Sequence, residues 1–279
     1  MTKTRKKIVI QGVRGAFHEI AARYYHEDPI DVVPAITFNE LIIESPKYDG
    51  GMMAIENSIA GTLIRNFPLI QHSPLEITGE IYLRIKHNLM ALPGQDISDI
   101  KEVHSHPMAI EQCREYFKPY KHIRLVETED TALSARFIFE RRTPNVAAIA
   151  SAKAAELYEL DILAEGIETN KQNYTRFLSL EHRDKYIDDS EFEKVSICFA
   201  VQHEIGRLHE VLKLLADHKA NLTKIQSVPI IGDRWRYFFF VDFVLEAPQD
   251  FDRTIKELTK ATTGLQMLGR YKTGVHYEN

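Results

Sequence analysis

Cysteine is scarce: Cys113 and Cys198 are the only two in 279 residues. They stand far apart in unlike contexts, which argues against a disulfide framework and fits reduced thiols in a cytosol. Long apolar runs are missing too. The basic start Lys3-Thr4-Arg5-Lys6-Lys7 leads only into Ile8-Val9-Ile10, too short for the apolar part of a secretion signal, and no stretch approaches membrane-spanning length. Positive charge is short as well: 35 Lys and Arg against 40 Asp and Glu leave a net charge of −5. Phosphate binding needs a basic face, so nucleic acid is not expected as the main partner. A small anionic substrate remains open, because it needs only a few local cations or backbone amides. The expectation is a soluble, cytoplasmic protein with no membrane partner.

Several kinds of catalytic machinery are absent. Gly12-Val13-Arg14-Gly15 lacks the spacing of a nucleotide loop. No G-x-S-x-G elbow occurs. There are twelve histidines, but His104 and His106 would point to opposite faces of a strand with no matching cysteine or carboxylate cluster nearby. No metal and no cofactor are expected.

What is present is ordinary globular material, 44% hydrophobic and 27% charged, with length for about two domains. Ile8 to Gln11 reads as a buried strand, Phe17 to Tyr25 as a helix, Asp31 to Val33 as a strand, Phe38 to Ile43 as a helix and Met52 to Ile55 as a strand. Leu63 to Ile70 predicts another helix, and Ile77 to Leu92 a long extended run of the kind that crosses between lobes. Alternation then restarts through a helix at Pro107–Phe117, one at Thr131–Glu140 capped by Asp130, and one at Ser151–Leu160. Alternating strands and helices imply an α/β fold built on a mostly parallel sheet with helices on its faces. Residues 183–194 are acid-rich and poor in apolar side chains, and read as a linker. Beyond them the order is βαββαβ, a ferredoxin-like unit over residues 195–279, with a strand at Trp235–Leu245.

Polar clusters fall where strands end, which is where open α/β sheets bind ligands. Glu56-Asn57-Ser58 follows one strand; it can cradle an anion or cap a helix. Ser105 opens a helix, and Gln112, seven residues on, returns to nearly the same face. Asn173-Tyr174-Thr175-Arg176-Phe177 is the densest cluster. Strict alternation puts Thr175 and Arg176 on opposite faces, whereas a bend would bring them to one site.

Taken together, the clusters resemble the prephenate dehydratase family. The matching pieces are Gly12-x-x-Gly15-x-Phe17-x-Glu19-x-Ala21-Ala22, Ile55-Glu56-Asn57-Ser58-x-x-Gly61 and Ser105-His106-Pro107-x-Ala109-x-x-Gln112-Cys113. Asp130-Thr131-Ala132, Ala148-Ile149-Ala150-Ser151 and Asn173-Tyr174-Thr175-Arg176-Phe177 continue the register. The C-terminal unit looks like an ACT domain, the amino-acid-sensing module. The resemblance implies a two-lobed catalytic domain of the type II periplasmic-binding-protein kind over residues 6–182, its second lobe at about 87–170. It implies a carbon–oxygen lyase that turns prephenate into phenylpyruvate, water and CO2, with phenylalanine as effector and a homodimer or homotetramer as the assembly.

The same resemblance assigns Thr175, Arg176 and Phe177 to catalysis. It puts Glu56, Asn57, Ser58, Ser105, Gln112 and Asn173 at the substrate, and Gly206, Leu208, Gln226, Ser227 and Pro229 at the effector. Prephenate is a dianion whose ring hydroxyl leaves as CO2 departs, and aromatisation drives the step. A threonine hydroxyl is a poor acid near neutral pH, so Thr175 is expected to donate a hydrogen bond to the departing oxygen. Arg176 suits a substrate carboxylate through its fork, or holds its loop. An ionised Glu56 opposes a dianion, so a structural role fits it better. Two departures stand out. Ala16-Phe17-His18 replaces the family's Thr-Phe-Ser, and Gln226-Ser227-Val228-Pro229 replaces Glu-Ser-Arg-Pro. Arogenate, or a non-catalytic amino-acid-binding role, are the alternatives.

Overall fold

Buried apolar runs set the first sheet. The computed structural model describes residues 5–27, 29–185, 192–233, 236–246 and 248–278. Strand β1 (Lys6–Gln11) runs parallel to β2 (Ile30–Ala35) and β3 (Gly50–Asn57), joined through helices α1 (Phe17–His26) and α2 (Phe38–Glu44). Val9 packs into one core with Leu41 of α2, while Ile8 and Ile10 pack with Ile20 and Ala21 of α1. Covered on both faces, β1 reads as a continuous apolar run rather than an alternating one. A short β4 (Gly61–Thr62) folds back on β3 and precedes α3 (Asn66–Gln71), which starts later than the apolar spacing from Leu63 predicts.

The long extended run divides into two strands that lie in different sheets: β5 (Leu75–Arg84) in the first, and β6 (Asn88–Ala91) in the second. The second lobe adds β7 (Glu102–Ser105), α4 (Pro107–Phe117), β8 (Arg124–Glu127), α5 (Thr131–Arg141), β9 (Val146–Ala150), α6 (Ala152–Leu157) and β10 (Asp161–Ala164). Its strand order is β10-β6-β9-β7-β8. The chain returns through β11 (Tyr174–His182), antiparallel between β3 and β5. The two crossing segments are tied together: Ile85 N–H donates to Asn173 O at 2.7 Å, and Ile167 N–H to His87 O at 2.8 Å. Two mixed-sheet lobes with a double crossover are the periplasmic-binding-protein arrangement expected.

Strand β12 (Lys194–Ala200), α7 (Arg207–Asp217), β13 (Ala220–Pro229), β14 (Tyr237–Leu245), α8 (Phe251–Ala261) and β15 (Thr263–Tyr271) form an antiparallel sheet in the order β13-β14-β12-β15, the ferredoxin-like order. This sheet is continuous with the first lobe, because β15 meets β5 at Gly269 and Ile77 and the terminal β16 (Val275–Tyr277) also pairs with β5. A Cβ on Gly269 would stand 2.1 Å from Ile77 O, so only glycine permits this approach. Of the expected linker, residues 186–191 lie outside the described residues, as does Trp235, expected to open β14. Among the described residues no helix is long and apolar enough to cross a membrane.

Candidate active site

A cavity of about 440 Å³ lies between the lobes, within the usual size range for small-molecule sites. From β11, Thr175 and Phe177 face it; Arg176 faces the other side of the sheet. A register shift against β3 falls between Arg176 and Phe177, but it does not bring Arg176 round to the cavity.

Asn57, at the end of β3, is the hub. Its Oδ1 accepts from the N–H of Ile59 at 3.0 Å and of Ala60 at 2.8 Å, which settles the amide orientation. Its Nδ2 then donates to Asn173 Oδ1 at 2.8 Å, Tyr174 O at 3.3 Å and Thr175 Oγ1 at 3.0 Å. The Thr175 oxygen accepts here, so its hydroxyl proton is available to donate to a molecule in the cavity. Thr175 is 8% exposed.

The second lobe joins this array through Gln112 of α4. Gln112 Oε1 accepts from Asn173 Nδ2 at 2.9 Å and lies 2.9 Å from His87 Nε2. An oxygen can only accept here, so His87 carries its proton on Nε2, and its buried Nδ1 has no partner among the described residues. Burial holds the His87 pKa down, against the Gln112 hydrogen bond. The first turns of α4 and α5 also reach the cavity, through Met108 and Ala109 and through Thr131. Helix N-termini favour anions. Asp130 caps α5 by accepting from Leu133 N–H at 2.8 Å, and burial raises its pKa. Among the described residues no lysine or arginine lines the cavity.

Several expected site residues lie elsewhere. Arg176 is buried against Glu80 and Asp242, both at 2.6 Å, and donates to Tyr271 Oη at 3.1 Å, so its fork is fully used away from the cavity. Alternation along β11, rather than a bend, decides this. Ser105 is wholly buried and donates to Ile149 O at 2.7 Å, tying β7 to β9. Ser58 Oγ donates to Gln172 O and accepts from Tyr174 N–H, both at 2.9 Å, lacing the β3 turn to β11. Glu56 pairs with Lys224 Nζ of β13 at 2.6 Å. Asn173 is fully buried, one bond removed from the cavity. Of the expected set, Asn57, Gln112, Thr175 and Phe177 line the cavity.

Sequence reasoning left out His18, His87, Asp130 and Thr131 as site residues, yet all four line it. Asp130-Thr131 was visible as a matching piece but read as a cap. His18 is buried, and desolvation lowers its pKa to about 3. Among the described residues no cluster of histidine, cysteine and carboxylate groups is placed to hold a metal.

Residues 8–185 match the family described as Prephenate dehydratase. The chain is 30% identical over 272 residues to the bifunctional chorismate mutase/prephenate dehydratase of Escherichia coli K12, covering 95% of this chain and 70% of that one. It is 33% identical over 280 residues to the chloroplastic arogenate dehydratase/prephenate dehydratase 2 of Arabidopsis thaliana, covering 96% and 73%. Among solved structures, prephenate dehydratase from Arthrobacter aurescens in complex with L-Phe superposes with a TM-score of 0.84 at 26% identity, covering 95% and 89%. A quorum-quenching acylase of a novel type superposes with a TM-score of 0.87 at 29% identity, covering 96% and 98%.

Proposed function

Because the chain belongs to the prephenate dehydratase family, lyases that convert prephenate to phenylpyruvate, we propose that its cleft performs this step with Thr175 at the leaving oxygen. The observation that carries the assignment is the held Thr175 oxygen. Asn57 donates to it at 3.0 Å, leaving the Thr175 proton to meet the departing hydroxyl. In the reaction the bond from the ring to its carboxylate breaks and releases CO2. That electron pair moves through the ring and expels the hydroxyl from the opposite carbon. The hydroxide takes a proton from solvent to become water. Thr175 lowers the barrier by hydrogen bonding where negative charge grows. The substrate carboxylates are held by the side-chain nitrogen of Gln112, whose oxygen alone is engaged within the protein, and by the first turns of α4 and α5. Following phenylpyruvate formation from prephenate by wild type and Thr175→Ala tests this reading.

We assign residues 6–182 to catalysis, 183–194 to the linker and 195–279 to an ACT domain that binds phenylalanine. The strand order of the C-terminal sheet supports this. So does a cavity of about 320 Å³ beside Gly206 and Leu208, where Gly206 caps α7 at φ 87°. Gln226, Ser227 and Pro229 stand on β13, outside the lining of that cavity, so the full effector site needs a second copy, in a homodimer or homotetramer. Val228 occupies the place of the family's arginine, which weakens the effector response. The cytoplasm suits the two free, buried cysteines. Inhibition assays with phenylalanine test the regulatory assignment.

Arogenate is the second reading, and one observation favours it. Asp130 and Glu129 line the cavity while, among the described residues, no lysine or arginine does, an environment that accepts an ammonium group readily. Comparing kcat/KM for prephenate and arogenate decides between the two. Amide hydrolysis, suggested by the acylase neighbour, would need a base at Thr175; the partner found there is the donating amide of Asn57.

A further inference from the structure

His18 stands where the family carries a small hydroxyl residue, and its surroundings determine which ring atom faces the cleft. Its Nε2 accepts from Ala54 N–H at 3.3 Å. A nitrogen that accepts carries no proton, and a buried neutral imidazole must therefore hold its proton on Nδ1. The ring is 9% exposed and is clamped by Phe177 at 4.9 Å, edge to face, and by Phe38 at 5.6 Å. Among the described residues no protein acceptor meets Nδ1, and His18 lines the cavity. A fixed donor with no protein partner is thus presented to whatever occupies the cleft.

Its position relative to Thr175 identifies what it meets. Phe177, against which the ring rests, is two residues from Thr175 on the same face of β11. That is about 6.6 Å along a strand, comparable with the span of a six-membered ring substituted at opposite carbons. With the leaving oxygen at Thr175, a ring lying along β11 would bring its far end, bearing a carboxylate and a keto side chain, towards the Phe177 and His18 side of the cavity.

We propose that His18 is a substrate-positioning residue whose Nδ1–H donates to a carboxylate or keto oxygen at the ring end opposite the leaving hydroxyl. The inference rests on the dehydratase reading of the cleft. A neutral donor suits this place better than a cation. The departing carboxylate loses its charge as CO2 forms, and a cation would hold the charged ground state more tightly than the transition state. The absence of lysine and arginine from the lining agrees with this.

Asparagine places a nitrogen donor near the Nδ1 position, and glutamine places an oxygen acceptor near the Nε2 position, so the two substitutions separate the roles. Steady-state kinetics with prephenate should show His18→Gln raising KM about 10-fold, the loss of one hydrogen bond, with a smaller change in kcat and a retained melting temperature. His18→Asn should recover most of the KM while melting lower, since Ala54 N–H loses its acceptor. The reverse pattern, with glutamine kinetically like wild type and asparagine impaired, would overturn the proposal. So would flat kinetics in both. If wild type turned over neither prephenate nor arogenate, the dehydratase reading would fall. The His18 assignment would still be decided by nitrogen NMR of labelled histidine with and without phenylpyruvate. The proposal requires the Nδ1–H tautomer and a shift of that proton on binding; an Nε2–H tautomer, or no shift at saturating phenylpyruvate, contradicts it.

Discussion

Arg176 Nη1 lies 2.6 Å from Asp242 Oδ2, with the two side chains 5% and 8% exposed. The residue after Thr175 is therefore bonded across the sheet to β14 of the C-terminal unit. Glu80 completes the cluster from β5, held at 2.6 Å by Arg176 and at 2.9 Å by Lys194. Two cations face two carboxylates, so the buried charges cancel. Burial works against the Arg176 charge, but Asp242, Tyr271 and Glu80 outweigh it and hold the pKa well above the ordinary range.

Arg176→Lys keeps the charge and loses the fork. Its KM for prephenate is expected to stay within about 2-fold of wild type, because the side chain does not reach substrate. Its stability should fall by about 1–3 kcal/mol, as buried acceptors lose partners. Urea denaturation and steady-state kinetics on the same preparation check both; a large rise in KM with unchanged stability contradicts the placement.

Gly269→Ala tests the junction between the two sheets. The new Cβ would collide with Ile77 O, and overpacking at such a contact costs about 1–3 kcal/mol. A lower melting temperature is expected. An unchanged one would mean that β15 and β5 do not meet as described.

Acid should destabilise the protein through buried His18 and half-buried His26. Desolvation lowers His18 to about 3 and His26 to about 4, from an ordinary 6.5. Below 6.5 the unfolded chain binds protons that the folded chain refuses, so stability is lost as pH falls through this window. For His18 the slope is at most about 1.4 kcal/mol per pH unit. Denaturation midpoints measured from pH 7 down to pH 4 should fall less steeply in His18→Gln than in wild type; parallel curves contradict a neutral, buried His18.

Much of this was legible in the residues, for identifiable reasons. The strands of the first lobe are apolar because both faces are buried, and the polar clusters at their ends mark the cleft. Alternation along β11 offered a separation of Thr175 from Arg176, but a bend joining them was also open; the residues could not show that the far face carries Asp242 and Tyr271, which come from β14 and β15. Ser105 looked like a site residue because it opens a helix beside Gln112, yet it points to Ile149 of a neighbouring strand. The break between β5 and β6 was hidden because both halves are extended and apolar. His18 was uninterpretable alone, since its tautomer depends on Ala54 N–H, 36 residues away.

The central claim is that Thr175 acts on the leaving oxygen in the transition state. Thr175→Ala, assayed with prephenate in protein shown to be folded by its melting curve, measures this most directly. Removing one donor aimed at developing charge is expected to lower kcat by about 10²–10³-fold, with KM changed far less. A folded Thr175→Ala protein with kcat near wild type would contradict the account.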